Sequence, residues 1–122
     1  MGRTGKGDCM KIYVAGPLRN SDYRKVWDNV QRAIGIGLQL MKKGHVVFIP
    51  HLSYYATLHP ESNIDGKNEH KIWMKQDLEW VISCDALFFL GHSRGADEEL
   101  SLAKKMGLKI YTTLDEVPNL NF

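Results

Sequence analysis

The chain has 122 residues, 43% of them hydrophobic and 25% charged, with a formal net charge of +2. That length suits one domain and lets roughly two thirds of the chain's surface leave water, so a core is expected without disulfide or metal staples. A near-neutral balance with no basic run excludes a protein that coats nucleic acid, and no apolar stretch approaches the ~20 residues of a membrane span.

Residues 1–10, MGRTGKGDCM, lack the apolar segment of a signal peptide and read as a flexible extension ahead of a single domain at 11–122. Cys9 and Cys84 have no metal-ligand spacing, so free thiols in a cytoplasmic protein are expected. KIYVAG (11–16) is a short β-rich run ending at a glycine. A long helix follows, with Tyr23, Trp27, Val30, Ile34, Gly37, Leu38 and Met41 at helical spacing. Ser21 or Asp22 is positioned to cap its start and Gly44 to end it.

HVVFIP (45–50) is a second apolar run, stopped by a proline, and 51–67 form the longest irregular stretch. Long loops in compact domains tend to carry function or disorder. A second helix is predicted from about Asn68 to Ser83, a third strand at DALFFLG (85–91), another helix after it, and a fourth strand at KIYTTL (109–114). Short apolar strands alternating with helices predict an α/β fold: a three-layer α/β/α, doubly wound parallel sheet of four to five strands, flavodoxin-like or Rossmann-like. In such sheets ligands sit beyond the carboxyl ends of the strands, here AGPLRN, IPHLSYY and LGHSRGADEE.

Two acids do not fit their helices. In GHSRGADEELSLAKKM (91–106), Asp97 and Glu98 fall on the solvated face, but Glu99 shares a stripe with Ala96, Ala103 and Met106. In the preceding helix Asp77 lies between Trp73 and Trp80 on one stripe that continues to Cys84, beside a more ordinary core face of Met74, Leu78 and Val81. Either acid alone is as easily a tolerated surface group. Together they point to paired carboxylates, the working parts of glycosidic-bond chemistry.

Ser93, Arg94 and Gly95 precede the last helix, so a hydroxyl, a guanidinium and backbone N–H groups can converge on an anion. Gly16, Pro17, Leu18 and Arg19 form a similar turn after the first strand. An equally ordinary reading makes Ser93 a helix cap and Arg94 a solvated charge. Neither turn matches G-x-G-x-x-G or a P-loop. The five histidines lack metal-binding spacing, so no metal or other cofactor is expected, and no G-x-S-x-G nucleophile motif is present.

KIYVAGPLRN, DLEWVISCDALFFL and SRGADEELSLAKKMGLKIY, in that order and spacing, resemble the nucleoside 2-deoxyribosyltransferase superfamily, which includes the 2′-deoxynucleoside 5′-phosphate N-hydrolases. The resemblance spans most of residues 11 to 112, outside the long loop, and implies the same flavodoxin-like sheet. Its glutamate pattern G-x-x-x-E-x-x-x-A is met by Gly95, Glu99 and Ala103, which makes Glu99 the implied nucleophile. Its D-L-x-W-x-x-x-x-D segment is met by Asp77, Leu78, Trp80 and Asp85, which makes Asp77 the implied catalytic aspartate. Tyr13 and Gly16 match its N-terminal tyrosine and glycine.

Six residues before the glutamate, the transferases carry an aspartate for the sugar 5′-hydroxyl and the hydrolases a serine for a 5′-phosphate. Ser93, followed by Arg94, thus implies a nucleoside 5′-monophosphate, with Pro17 and Arg19 across the site and His51 and Tyr54 at the base. The resemblance also implies a homodimer or larger assembly, with Asn119 or Asn121 completing the site of a neighbouring subunit. The function so implied is cleavage of an N-glycosidic bond through a glycosyl-glutamate intermediate, with water preferred as acceptor over a second base. A small-molecule nucleoside or nucleotide is the expected partner, with no polymeric nucleic acid and no membrane. A domain that binds nucleotides without transforming them is the rival from another class, because fold alone does not fix function. A phospho-acceptor receiver domain fits less well, since its acidic strand ends are missing from AGPLRN and IPHLSYY.

Overall fold

Strand β1 (Lys11–Ala15) runs through the middle of the molecule, with Ile12, Tyr13, Val14 and Ala15 wholly withdrawn from solvent. Only a strand paired on both edges and covered on both faces receives that treatment. The computed structural model describes residues 8–62 and 69–121. In it β1 pairs in parallel with β2 (Val46–Phe48) on one side and β3 (Ala86–Phe89) on the other, and β4 (Lys109–Tyr111) pairs in parallel with β3. The order β2-β1-β3-β4 is that of a doubly wound sheet, with its switch point between β1 and β3. The predicted fold class is the observed one.

The period-two alternation of β1 divides the core. Ile12 and Val14 face helix α1 (Tyr23–Lys42) in a cluster with Ala33, Leu40, Ala86 and Phe88. Tyr13 and Ala15 face the other layer, with Val81 of α3 (Glu69–Ile82) and Ala103 of α4 (Arg94–Lys105). A single turn, α2 (Ser53–Ala56), interrupts the long segment after β2, flanked by 3-10 turns at Pro50–Leu52 and Pro60–Ser62. That segment is therefore more regular than the sequence suggests. The predicted start of the second helix at Asn68 lies outside the described residues.

Helix α1 begins at an Asp22 cap, whose carboxylate accepts from the Arg24 N–H at 2.9 Å, and the chain turns away at Gly44. Its buried face differs from the expected stripe: Val26, Val30, Ala33, Gly37 and Leu40 are inside, while Tyr23, Trp27, Leu38 and Met41 are exposed. The small residues win because the helix lies close on the sheet. An added Cβ at Gly37 would fall 2.3 Å from Ile49 Cδ1. Likewise Met106, expected on the inner stripe of α4, is half exposed just past the end of that helix.

Both ends of the described chain meet at the amino edge of the sheet. Met10 is buried, and its N–H donates to His45 Nδ1 at 3.1 Å. The other ring nitrogen of His45 lies 2.7 Å from the Pro118 carbonyl, which fixes the proton on Nε2. Further along, Leu120 N–H donates to Lys43 O at 2.7 Å and Asn121 Nδ2 to Lys42 O at 2.9 Å, closing carbonyls left open at the end of α1.

Two glycines of α1 should respond in opposite directions. Gly35 is exposed with nothing within 4 Å of an added Cβ, so Gly35→Ala should stabilise by about 0.5–1 kcal/mol through helix propensity. Gly37→Ala should destabilise by about 1–3 kcal/mol, because α1 and Ile49 must separate. Urea denaturation midpoints of the two variants check both signs.

Candidate active site

The carboxyl ends of β1, β2 and β3 open on a cavity of about 760 Å³, walled by the turns after those strands and by α3 and α4. The size suits a ligand of nucleotide dimensions, since small-molecule sites span roughly 300–1,000 Å³. Gly16 lets the ends of β1 and β3 approach there; a Cβ on it would lie 2.7 Å from Leu90 Cβ.

Glu99 stands on the first turns of α4, at the cavity, and is only 5% exposed. Helix periodicity puts it on the buried face with Ala96 and Ala103, whose small side chains bring α4 close to the sheet. Its Oε2 accepts a 2.5 Å hydrogen bond from the Tyr13 hydroxyl, which rises from the central strand on the same face. Burial raises the Glu99 pKa from its ordinary value near 4.5 to about 8, against the pull of the Tyr13 bond and with help from the charges of Asp77 and Glu98. Tyr13 itself is driven far above the phenol range by burial and by the carboxylates, so it is always a donor.

Asp77, on the cavity face of α3, has its pKa raised by burial to about 6. The two carboxyl groups are close enough for the charge of Asp77 to add to the burial that disfavours ionisation of Glu99. The indoles around Asp77 are used differently from each other. Trp73 lines the cavity, whereas Trp80 turns outward and stacks on Phe48 at 4.7 Å, which in turn stacks on Tyr13 at 5.6 Å. Burial pushes the Cys84 thiol up to about 11, leaving it without nucleophilic character at neutral pH.

Ser93 caps α4: its Oγ accepts from the Ala96 N–H at 3.1 Å, and its hydroxyl proton stays available to a ligand. Arg94 is 85% exposed at the rim, with Nε 4.0 Å from Glu98 Oε1. Both readings of this turn therefore apply at once, a helix cap and a cavity wall. Arg19, also exposed, faces the same space from the turn after β1. Gly95 completes the α4 side of the wall.

His51, in the 3-10 turn after β2, is 2% exposed, and its Nε2 lies 3.1 Å from both the Gly16 and Pro17 carbonyls. Carbonyls only accept, so Nε2 carries the proton, and Nδ1 is a bare acceptor without a partner among the described residues. Burial lowers the pKa of this ring despite the two carbonyls, which keeps it neutral. Tyr54 lines the cavity near it and meets Tyr55 edge-on.

Among the residues singled out in the sequence, Gly16, Arg19, His51, Tyr54, Asp77, Ser93, Arg94, Gly95 and Glu99 surround one cavity. Tyr13 reaches it through Glu99, and Pro17 through its carbonyl. Asn119 and Asn121 sit elsewhere: Asn119 Oδ1 accepts from Asn121 N–H, and Asn121 closes α1 at the opposite edge of the sheet. Tyr23 and His70 also line the space and carried no motif to mark them, as do Asn20 and Trp73, which the sequence showed only as neighbours of candidate residues. Among the described residues no three His, Cys, Asp or Glu side chains gather as metal ligands, and no helix is long and apolar enough to cross a membrane.

A family model described as a domain of unknown function (DUF7768) matches residues 10–113. No curated protein matches the chain. Among solved structures, the 2-deoxyribosyltransferase of the psychrotolerant bacterium Bacillus psychrosaccharolyticus is similar at a TM-score of 0.60, covering 82% of this chain and 69% of that one at 23% identity. At that identity the likeness establishes a shared fold.

The buried acid should be visible in stability. Unfolded, Glu99 loses its proton near its ordinary value of 4.5; folded, it holds the proton to about pH 8. Stability therefore falls as pH rises between those values and levels off above them. Glu99→Gln keeps an oxygen for Tyr13 but cannot ionise. It should raise the melting temperature at pH 8 by at least ~5 °C and change it little at pH 4. Thermal unfolding at both pH values measures the difference.

Proposed function

This chain belongs to the DUF7768 family, and from its buried carboxylate pair we propose that it cleaves the N-glycosidic bond of a nucleoside 5′-monophosphate. The observation that carries this reading is Glu99, a carboxyl group held at the floor of a nucleotide-sized cavity by the Tyr13 hydroxyl, with Asp77 beside it. The fold shared with a 2-deoxyribosyltransferase lends support, as does the match of both acids to the motifs of that superfamily.

In the proposed reaction a Glu99 oxygen bonds to the anomeric carbon while the carbon–nitrogen bond breaks and its electron pair leaves with the base. Asp77 gives a proton to the departing base. Its carboxylate then takes a proton from the water that attacks the anomeric carbon and releases Glu99. In the empty site the proton lies mainly on Glu99, the group with the higher pKa, so in this reading it passes to Asp77 before the attack, leaving Glu99 ionised and Asp77 the acid. Positive charge growing on the sugar favours the ionised glutamate, and the Tyr13 hydroxyl donates a hydrogen bond to that form. With a second base in place of water the same steps exchange bases, an outcome favoured by the transferase activity of the similar fold.

Ser93, Arg94 and Arg19 are proposed to take the phosphate, and a second copy of the chain is proposed beside the mouth, where Tyr23 and Trp27 are exposed. The protein is read as cytoplasmic, with no polymeric nucleic acid or membrane among its partners.

Incubation with a panel of nucleosides and their 5′-monophosphates, with released base as the readout, tests the activity. Glu99→Ala should abolish release, and Asp77→Asn should lower it at least ~10²-fold. The wild-type kcat/KM should form a bell, falling below pH 6 and above pH 8 as the pair gains or loses its single proton. No base release from any substrate would leave a binding module as the function.

Phosphate preference is a separate expectation. Charge-assisted bonds to a dianion contribute about 1.5–3 kcal/mol each, so the monophosphate should exceed the nucleoside in kcat/KM at least tenfold. Ser93→Asp should reverse that order. Equal values in the wild type would return Ser93 and both arginines to cap and solvent roles.

A further inference from the structure

Two buried polar atoms have no hydrogen-bond partner among the described residues, His51 Nδ1 and Trp73 Nε1, and both belong to side chains lining the cavity. One is an acceptor and the other a donor. Buried polar groups are nearly always satisfied, and two orphans of opposite polarity in one cavity wall require a cause. Neither has a local one. The His51 ring is already pinned through Nε2 to the Gly16 and Pro17 carbonyls, so it cannot turn to serve Nδ1 without breaking that anchor. Trp73 lies one helical turn before Asp77, so its indole borders the same space as the carboxyl group.

We propose that these two atoms read the leaving heterocycle, Trp73 donating to a ring nitrogen or carbonyl oxygen and His51 accepting from a ring N–H or amino group. The assignment rests on the N-glycosidic reading of the cavity, because the other parts of that substrate are placed by other groups. The sugar must set its anomeric carbon on Glu99. A phosphate dianion has no proton for the bare lone pair of His51, and the cationic side chains lie at Arg19 and Arg94. A flat heterocycle offers donor and acceptor together and suits walls made by Trp73 and Tyr54.

A site built this way discriminates strongly, since a ligand lacking either group leaves a buried partner unpaired. It also carries a signature that a packing role does not. Trp73→Phe removes an unsatisfied donor while keeping an aromatic wall, so the empty protein should not lose stability as the ligand loses affinity. His51→Gln retains an amide to donate to the two carbonyls but lacks the Nδ1 lone pair.

Calorimetric titration of wild type and both variants with free adenine, hypoxanthine, cytosine and thymine tests the proposal without any turnover. At least one base should bind the wild type, and each variant should weaken it about tenfold. The melting temperature of empty Trp73→Phe should equal or exceed that of the wild type. Blocking the donor of the bound base by N-methylation should cost about tenfold with wild type and little with His51→Gln.

Unchanged base affinity in Trp73→Phe overturns the proposal, as does a loss seen with an intact nucleotide but not with its free base, which would assign the contact to the sugar. Binding of no base at millimolar concentration also overturns it. Base binding with these losses but no base release from any nucleotide would keep the inference and remove the cleavage reaction.

Discussion

The hydrogen bond from the Tyr13 hydroxyl to Glu99 is the constraint around which this molecule is arranged. A carboxyl group between a sheet and a helix faces a large desolvation cost unless it is protonated or supplied with donors. Here one donor comes from the strand most shielded from water. That requires a tyrosine at the position of β1 facing α4 and a glutamate on the inner face of α4, about one turn from its start. It also requires small neighbours, Ala96 and Ala103, so that the helix lies low enough for the bond to form. Local propensity alone favours none of this, because an aliphatic residue at either place would pack more cheaply. The pair is a local conflict of the kind that marks functional sites.

The surrounding site follows from the same geometry. Parallel pairing brings the ends of β1, β2 and β3 to one edge, and the reversal of winding order between β1 and β3 leaves a crevice there. Gly16 narrows it, His51 ties its β2 side to the β1 turn, and the capped start of α4 gives it a wall with positive dipole character. Of the buried polar side chains among the described residues, Glu99 and His51 lie at this edge, and His45 lies at the other with both ring nitrogens hydrogen-bonded. The opposite edge is closed by tail contacts.

The sequence makes the architecture legible because parallel strands covered on both faces are written as short, unbroken apolar runs, and four such runs became β1 to β4. It makes Glu99 and Asp77 legible because a carboxylate on an apolar stripe violates a periodicity that its neighbours obey. The α1 face was less readable. Large apolar residues suggested a stripe through Tyr23 and Trp27, whereas close packing on the sheet selected the smaller Val26, Ala33 and Gly37. Trp80 shared a stripe with Asp77 in the sequence, yet its partner is Phe48 of a distant strand, which helical spacing cannot reveal. The unsatisfied atoms of His51 and Trp73 were invisible for a related reason, since satisfaction depends on neighbours far away in the chain. Roles of individual residues came from resemblance, and geometry adds proximity to them.

His45 holds Met10 on one ring nitrogen and Pro118 on the other, so a single imidazole separates the two ends of the folded unit. A short linker could therefore join residue 118 or its successors to residue 10 or its predecessors without crossing the molecule. New ends could then be opened in an exposed connection such as the turn at Gly107, making this fold a candidate for circular permutation. The same placement suits modular use, because a second domain fused at either end would attach on the side away from the cavity and leave its mouth open to small molecules.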